Sequence, residues 1–222
     1  MNQITNTIAF VKTELSHAEG GHDWFHIERV WKLAKTIASQ EHANTLVVEL
    51  GALLHDIADS KFNNGDEEIG PRKALEFLNT QDVNHADKTH VIQIIENISF
   101  KGGKEQSNID TIEFKVCQDA DRMDAIGAIG IARAFNYGGF KNRGLYDPEI
   151  KPNLNMTKEE YKKSDAPTIN HFYEKLLLLK NQMHTKTAQK MAAQRDAFMR
   201  NYLDQFYADA FVVQSFLIFY PF

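Results

Sequence analysis

The chain has 222 residues, a hydrophobic content of 43%, five prolines and a formal net charge of −5. A chain of this length and composition can bury one substantial core, so a single globular domain over residues 1–222 is expected. The net charge is negative and the sequence has no lysine- or arginine-rich run. It therefore lacks the positively charged patch that is typical of nucleic-acid-binding proteins. A small, diffusible ligand is the better expectation.

The compartment is indicated by three features. The single cysteine, Cys117, excludes an internal disulfide framework and suits a reducing environment. The first fifteen residues lack the basic-then-apolar order of a secretory signal. No stretch reaches the roughly 20 apolar residues that a membrane-spanning helix needs. We therefore expect a cytoplasmic protein with no membrane partner.

Apolar residues recur at helical spacing along most of the chain, which predicts an all-α fold. Asp23 is expected to cap the second helix, and Asn44 or Thr45 to open the third. Further helices are predicted over 68–78, with a break at Pro71, and over 87–99, 109–135, 168–179 and 185–207. Glycine, proline and polar residues without periodicity predict loops over 101–107 and 136–166.

Two histidines are placed at the apolar side of predicted helices. His26 shares a stripe at i, i+4 and i+7 with Val30 and Leu33, so its side chain is expected to point inward. The apolar run over 46–54 ends in His55 and Asp56. A carboxylate at the end of a buried helix needs a compensating partner, because burying an unpaired charge is costly. A metal ion is one such partner.

A third polar cluster lies on an otherwise apolar helix and contains the carboxylates Asp119, Asp121 and Asp124. Three acids this close repel one another unless a cation is nearby. Mixed imidazole and carboxylate ligands suit Mn, Fe, Co, Ni or Zn better than calcium. The alternative is that the histidines are ordinary core residues and that the acids pair with arginines, namely Arg29, Arg122 and Arg133.

The order of these motifs resembles the H…HD…D signature of the HD-domain phosphohydrolase superfamily. The matching segments are His26-Ile27-Glu28-Arg29-Val30, His55-Asp56 and Ala120-Asp121-Arg122-Met123-Asp124. The surrounding segments 22–26, 98–102 and 118–133 resemble a branch of small stand-alone bacterial members. The resemblance covers about residues 20–207, with a motif core over about 20–135 and C-terminal helices over about 165–210. Three motifs in order are far more specific than a lone HD dipeptide.

The resemblance implies a helical bundle that holds one divalent metal ion. Its ligands would be His26, His55, Asp56 and Asp121. Among the acids of the third motif, Asp121 aligns with the Ala-Asp step of the family. Manganese, cobalt, nickel, iron or zinc is expected, and magnesium is less favoured, because two imidazoles prefer the softer ions.

Different roles are expected for the acids and histidines near the four proposed ligands. Asp124, one turn beyond the ligand aspartate, is expected to orient a ligand or to receive Arg29. Asp119 is expected at the surface or in a salt bridge. His85 and His90 do not complete the additional histidine motifs of two-metal relatives, which favours one metal.

Candidate catalytic and phosphate-binding residues follow from position. Asp59 comes four residues after the HD histidine and resembles an acidic position of guanosine-polyphosphate hydrolases, so it is a candidate general base. Its alternative role is a helix cap or a partner of Lys61. Lys61, Arg133, Lys141 and Arg143 lie near the motifs or in the long loops and are candidate substrate-binding residues. Arg133 is favoured because it follows the metal-bearing helix segment directly.

The activity implied by the resemblance is metal-dependent hydrolysis of a phosphate ester or anhydride. A small phosphorylated substrate, expected to be a nucleotide, fits the branch, with nucleoside triphosphate pyrophosphohydrolysis or nucleotide phosphatase activity as leading options. The alternatives are a phosphodiesterase, a guanosine-polyphosphate hydrolase, or a sensor that binds a nucleotide or metal without turnover.

The C-terminal tail over 211–222 departs from the family pattern. It is strongly apolar, whereas the related branch ends in polar and acidic residues. Such a segment must pack on the core, bury against a second subunit as in a homodimer, or promote aggregation.

Overall fold

The computed structural model describes residues 2–16, 23–58, 66, 68–98, 109–157, 160 and 163–211. These residues contain nine α-helices and no strand, which confirms the all-α prediction. The helices are α1 Gln3–Glu14, α2 Trp24–Glu41, α3 Thr45–Leu54, α4 Ile69–Asn79, α5 His85–Ile98, α6 Ile112–Asp124, α7 Gly127–Phe140, α8 Thr168–Glu174 and α9 Lys186–Phe211. A 3-10 helix, Leu176–Gln182, lies between α8 and α9. None of the helices in these ranges is long and apolar enough to cross a membrane.

The helix starts follow from capping side chains. Asp23 accepts a hydrogen bond from the backbone N–H of His26 at 3.0 Å and caps α2, as predicted. Asn44 accepts from Leu46 and Val47 and caps α3. Such oxygens satisfy backbone donors that have no partner inside the first turn. The first turn of α2 and the register of α3 are thereby fixed.

Helix α3 is the centre of the core. All eight residues over 47–54 are buried, including seven apolar or glycine positions. Helix α2 packs against α3 and α6 with a face formed by Ile27, Val30, Ala34 and Ile37. Helices α1 and α5 cover other sides of α3. The bundle thus gathers the start of α2, the end of α3 and the end of α6.

The single helix predicted over 109–135 is wrong, because the structure has two helices there. Helix α6 ends at Asp124, and Ile126 is extended, with φ −126° and ψ 165°. Gly127 has φ +76°, a conformation that glycine adopts without the steric cost of a side chain. A Cβ atom added there would lie 3.0 Å from Cγ of Arg195. The sharp turn lets α7 begin beside the end of α6.

Three other boundaries differ from the predictions. Pro71 lies in the first turn of α4, where a missing N–H costs no helical hydrogen bond, so the predicted break is absent. The predicted helix over 168–179 is interrupted at Lys175, with φ −143° and ψ −58°. Helix α7 continues to Phe140, into the predicted loop over 136–166. The predicted loop over 101–107 and the tail residues 212–222 lie outside the described residues.

Helix α9 is attached to α6 by buried polar contacts. Asp119, which is fully buried, accepts hydrogen bonds from the backbone N–H groups of His184 and Thr185 and from the Thr185 hydroxyl, each at 2.8 Å. Arg195 on α9 donates to the carbonyl of Met123. The expectation that Asp119 lies at the surface or in a salt bridge is therefore wrong.

A second buried carboxylate joins α9 to the 3-10 helix. Asp196 accepts from Lys180 Nζ and from Arg200 Nε, each at 2.9 Å. Burial alone would raise the pKa of this carboxyl group, but the hydrogen bonds and positive charges of Arg200 and Lys180 lower it more, to below its usual range. The ionised form is therefore bound more favourably in the folded state than in the unfolded chain.

Gly127→Ala should destabilise the protein by about 1–3 kcal/mol, because the added methyl group makes a positive φ costly and presses on Arg195. Gly139→Ala is the matched control within α7, since a Cβ there meets nothing within 4 Å. The control should be neutral or stabilising by up to about 1 kcal/mol. Urea unfolding of both variants gives the measurement, and equal stabilities would contradict the assigned turn.

Asp196→Asn should lower the free energy of unfolding at pH 7 by about 1–3 kcal/mol, the usual cost of losing hydrogen bonds to a charged group. Because the folded-state pKa is lowered, this contribution is present above about pH 4 and is lost as the pH falls below it. Urea unfolding of wild type and variant between pH 7 and pH 3 should show a narrowing difference. The exposed Asp204→Asn should change stability by less than about 0.5 kcal/mol. A difference independent of pH would contradict the ion-pair assignment.

Candidate metal centre

The four predicted metal ligands come from three helix ends. His26 lies in the first turn of α2, His55 follows the last residue of α3, Asp56 comes next, and Asp121 lies in the last turn of α6. The side chain of His26 is 2% exposed and that of His55 is 4% exposed. His26 therefore points inward, as predicted. The packing of α2 on both α3 and α6 brings these ends together.

The imidazole of His26 is held by Asp124. Its Nδ1 atom lies 2.7 Å from Oδ2 of Asp124, which is itself 3% exposed. A carboxylate accepts a hydrogen bond here, so Nδ1 carries the proton and Nε2 presents a lone pair. The expectation that Asp124 receives Arg29 is confirmed, since Arg29 donates to it from Nε at 2.6 Å. Asp124 also orients His26, whose role as a metal ligand stays a prediction.

The imidazole of His55 is held by its own helix. Its Nδ1 atom lies 2.9 Å from the carbonyl oxygen of Ala52 and donates to it, so the neutral imidazole has its lone pair on Nε2. This Nε2 atom is buried and has no hydrogen-bond partner among the described residues. Sequence reasoning missed Ala52, although its position three residues before His55 on a helix is a signal for such a contact.

The two Nε2 atoms converge on one carboxylate. Nε2 of His26 and Nε2 of His55 each lie 3.6 Å from Oδ1 of Asp121, which is beyond hydrogen-bond distance but well inside electrostatic contact. His26, His55 and Asp56 also offer ligand atoms that all lie within 4.8 Å of one another. His26, His55 and Asp56 thus form a group that could hold a divalent metal ion, and Asp121 lies beside both of its imidazoles.

Charges within the cluster shift the pKa values strongly. Burial lowers the pKa of His55. The adjacent carboxylates of Asp121 and Asp56 and the Ala52 carbonyl raise this pKa by more than burial lowers it, to about 9. Burial raises the pKa of Asp121, yet His55, His26 and a nearby guanidinium lower it more, well below its usual range. The carboxylates of the cluster therefore favour positive charge beside the imidazole of His55.

Two guanidinium groups surround Asp124. Arg29 binds both of its oxygens, from Nε at 2.6 Å and from Nη2 at 2.9 Å. Arg133 Nη1 lies 2.5 Å from Oδ2 of Asp124 and 3.3 Å from Nδ1 of His26. Since that Nδ1 atom already donates to Asp124, the second distance is a close approach of two donors. Burial raises the pKa of Asp124, and His26, Arg29 and Arg133 lower it more, below its usual range.

The remaining predicted site residues fall into two groups. Asp59 and Lys61 lie outside the described residues. Lys141 and Arg143 lie beyond the C-terminal end of α7, where Lys141 Nζ is 5.3 Å from the ring centre of Phe140 and Arg143 Cζ is 5.6 Å from that of Tyr137. These aromatic contacts are cation–π interactions. Arg133 is the predicted substrate-binding residue that the structure brings to the cluster.

His90 is accounted for by another contact. Its Nε2 atom lies 2.7 Å from the hydroxyl of Thr111 and 4.0 Å from a carboxylate oxygen of Glu113. Thr111 caps α6. His90 therefore joins α5 to the start of α6, at the opposite end of α6 from the cluster.

Known proteins share this arrangement of helices and motifs. The HD domain family matches residues 24–126, a range that contains all four clustered residues. The Bacillus subtilis (strain 168) protein YpgQ is 36% identical over 210 residues, which are 94% of each chain. The chain belongs to the HD-domain superfamily. Its hydrolase members include a solved HD-superfamily hydrolase from Bacillus thuringiensis, 43% identical, with a TM-score of 0.75 over 93% of this chain and 95% of that one.

A second solved structure that is similar to the present chain contains a ligand. The structure of Bacillus subtilis YpgQ in complex with ADP has a TM-score of 0.71 and 35% identity, and covers 93% of this chain and 94% of that chain. The similarity therefore extends beyond the segment matched by the family to α8 and α9. HD domains bind divalent metals, in agreement with the His-His-Asp group formed by His26, His55 and Asp56.

Asp124→Asn should weaken divalent metal binding by about 10- to 100-fold. The amide is uncharged and can donate as well as accept, so it no longer holds His26 with a proton on Nδ1. Calorimetric titration of metal-stripped protein with cobalt or manganese gives the affinity. Asp196→Asn removes another buried, ion-paired aspartate far along α9 and should leave metal affinity unchanged. Wild-type affinity in folded Asp124→Asn protein would show that His26 is positioned without it.

Proposed function

We propose that His26, His55, Asp56 and Asp121 bind one divalent metal ion and that the protein uses it to hydrolyse a phosphate ester or anhydride of a nucleotide. The observation that carries the proposal is the convergence of two imidazole Nε2 atoms, each 3.6 Å from the same oxygen of Asp121. The buried Nε2 atom of His55, without a hydrogen-bond partner among the described residues, is the strongest part of that observation.

The donor set fits a transition metal. In the neutral form that binds a metal, both imidazoles have their lone pair on Nε2, because Asp124 holds Nδ1 of His26 and the Ala52 carbonyl holds Nδ1 of His55. Hydrogen bonds of this kind to the second ring nitrogen are typical of metal-binding histidines. The carboxylates of Asp56 and Asp121 would balance the charge of a divalent ion. Two nitrogen donors favour manganese, iron, cobalt, nickel or zinc over magnesium.

Each residue then has a defined part in the reaction. A divalent metal held by these ligands would supply a Lewis acid that polarises a phosphoryl oxygen and lowers the pKa of a bound water. Asp124 keeps His26 oriented, and Arg29 and Arg133 keep Asp124 ionised. From its spacing in the sequence, we propose Asp59 as the base that accepts a proton from the attacking water.

The nucleotide substrate is supported by the relative and by the local charge. YpgQ has been solved in complex with ADP. Arg133 lies close enough to Asp121 for its positive charge to lower the pKa of that carboxyl group, and a guanidinium at this place can stabilise negative charge on a phosphate group. Lys61, Lys141 and Arg143 stay proposed phosphate ligands on the basis of their sequence positions. Nucleoside triphosphate pyrophosphohydrolysis and nucleotide phosphatase activity are the two reactions that we favour.

The test is a release assay on metal-stripped protein. Nucleoside mono-, di- and triphosphates are offered with manganese, cobalt, nickel or magnesium, and phosphate and pyrophosphate are quantified. Turnover should be higher with a transition metal than with magnesium, because the proposed ligand set contains two imidazoles. Equal or better turnover with magnesium alone would contradict that ligand set. Nucleotide binding without release of phosphate or pyrophosphate would identify a sensor instead.

Alanine variants connect this activity to the cluster. Replacing His26, His55, Asp56 or Asp121 should reduce bound metal, measured by elemental analysis, and reduce turnover by more than about 100-fold. His90→Ala is the matched control, because His90 is a partly buried histidine that contacts Thr111 outside the cluster. It should keep its metal and its activity. Unchanged metal content in all four cluster variants would overturn the assignment.

A further inference from the structure

A groove of about 320 Å³ lies on the opposite side of Asp124 from the metal cluster. Its lining comes from α2, α6, α7 and α9 and consists of Arg29, Lys32, Leu33, Thr36, Asp124, Ile129 and Arg195. Asp124 presents Oδ2 to Nδ1 of His26, whereas the proposed metal would lie at Nε2, across the ring. None of the four proposed ligands is among the residues that line the groove, so the groove and the cluster are separate spaces.

The charges that line the groove do not balance. Three basic side chains face one carboxylate, and that carboxylate already accepts hydrogen bonds from Arg29 and from Arg133. Lys32 pairs with Glu28 at 2.9 Å, but this is an exposed i, i+4 pair of the weak kind. Lys32 is 65% exposed, whereas Arg29 and Arg195 are partly buried. The two arginines therefore attract an anion more strongly, since the surrounding protein screens their charge less than water does.

Arg195 is the clearest sign that a ligand completes the site. Its guanidinium is half-buried, and its described hydrogen bond goes from Nη1 to the backbone carbonyl of Met123. Within the described ranges it has no carboxylate partner. Burial lowers its pKa, with Asp124 opposing that shift. The remaining guanidinium donors of Arg195, and Nη1 of Arg29, are available to an oxyanion in the groove.

The ligand chemistry follows from the donors. Arginine side chains present planar pairs of N–H groups that match the oxygens of a phosphate, and a lysine adds a flexible point charge. Residues 29, 32 and 36 follow one another at i, i+3 and i+7 along one face of α2, so their side chains reach the same groove. Thr36 also lines the groove, but its hydroxyl donates to the backbone carbonyl of Lys32 at 3.1 Å, so the donors to an anion are the basic side chains.

We infer that this groove is a second anion site, which binds the phosphate groups of inorganic pyrophosphate or a similar small polyanion independently of the metal cluster. The inference does not depend on the proposed hydrolysis, because the site is built from Arg29, Lys32 and Arg195 and needs no metal.

Calorimetric titration of metal-stripped protein with inorganic pyrophosphate, at fixed ionic strength and with EDTA present, tests the site. Without a metal, Asp56 and Asp121 make the cluster repel an anion, so saturable binding reports on the groove. Lys32→Glu should weaken binding by about 5- to 20-fold, since it reverses one charge of the lining. His55→Ala should bind as tightly as wild type.

Lys35→Glu is the matched control. Lys35 lies on α2 three residues after Lys32, is 46% exposed and pairs with Glu49 outside the groove, so its variant carries the same change in net charge. It should leave pyrophosphate affinity within about twofold of wild type. Circular dichroism checks that both exposed substitutions leave the fold intact.

Four results would overturn the second site. These are no saturable binding to the wild-type protein, wild-type affinity in Lys32→Glu, equal loss in Lys35→Glu, and loss of binding in His55→Ala. The last would place pyrophosphate at the cluster. Because no step of the test requires turnover, a failed hydrolysis assay and a failed anion site remain distinct outcomes.

Discussion

The rest of the site depends on the hydrogen bonds that the buried carboxylate of Asp124 accepts. It lies at the C-terminal end of α6, where the helix dipole disfavours negative charge, and it is 3% exposed. Only a dense set of donors can keep it ionised there. His26 from α2, Arg29 from α2 and Arg133 from α7 supply that set. Three helices are therefore oriented relative to one another by a single side chain.

The remaining half of the cluster depends on α3. Its apolar run buries every residue over 47–54, so the end of the helix emerges from the core at a fixed point. The imidazole of His55 is then locked by the carbonyl of Ala52 within the same segment. One histidine is positioned by tertiary contacts and the other by its own backbone. This division explains how two imidazoles on different helices reach the same oxygen of Asp121.

Local patterns predicted the parts of the structure that local forces determine. The caps at Asp23 and Asn44, the inward position of His26 and the all-α class follow from spacing and side-chain chemistry within a few residues. The ordered motifs also identified the residues that the fold brings together. Two roles were predicted for Asp124, and the structure shows that its side chain contacts both His26 and Arg29.

The errors arose where distant contacts override local preference. The break between α6 and α7 depends on Gly127, whose positive φ lets the chain turn against Arg195. Arg195 is far from Gly127 in the sequence. Asp119 looked like a solvated acid, but its partners at 184 and 185 are contributed by a remote connection. A single sequence does not reveal such pairings, because periodicity reports which face is buried and not what covers it.

The attachment of α9 to α6 also determines how the protein can be divided. The segment 24–126 that defines the family ends before α9 begins, yet His184 and Thr185, directly before α9, supply the donors that satisfy Asp119. Helix α9 itself covers the end of α6 through Arg195. Excision of that segment would leave a buried carboxylate without its hydrogen bonds and would expose core side chains of α6 to water. The recognisable motif region is therefore not a transferable module. Grafting the site into another scaffold would require the C-terminal helix, although that helix contributes none of the four clustered residues.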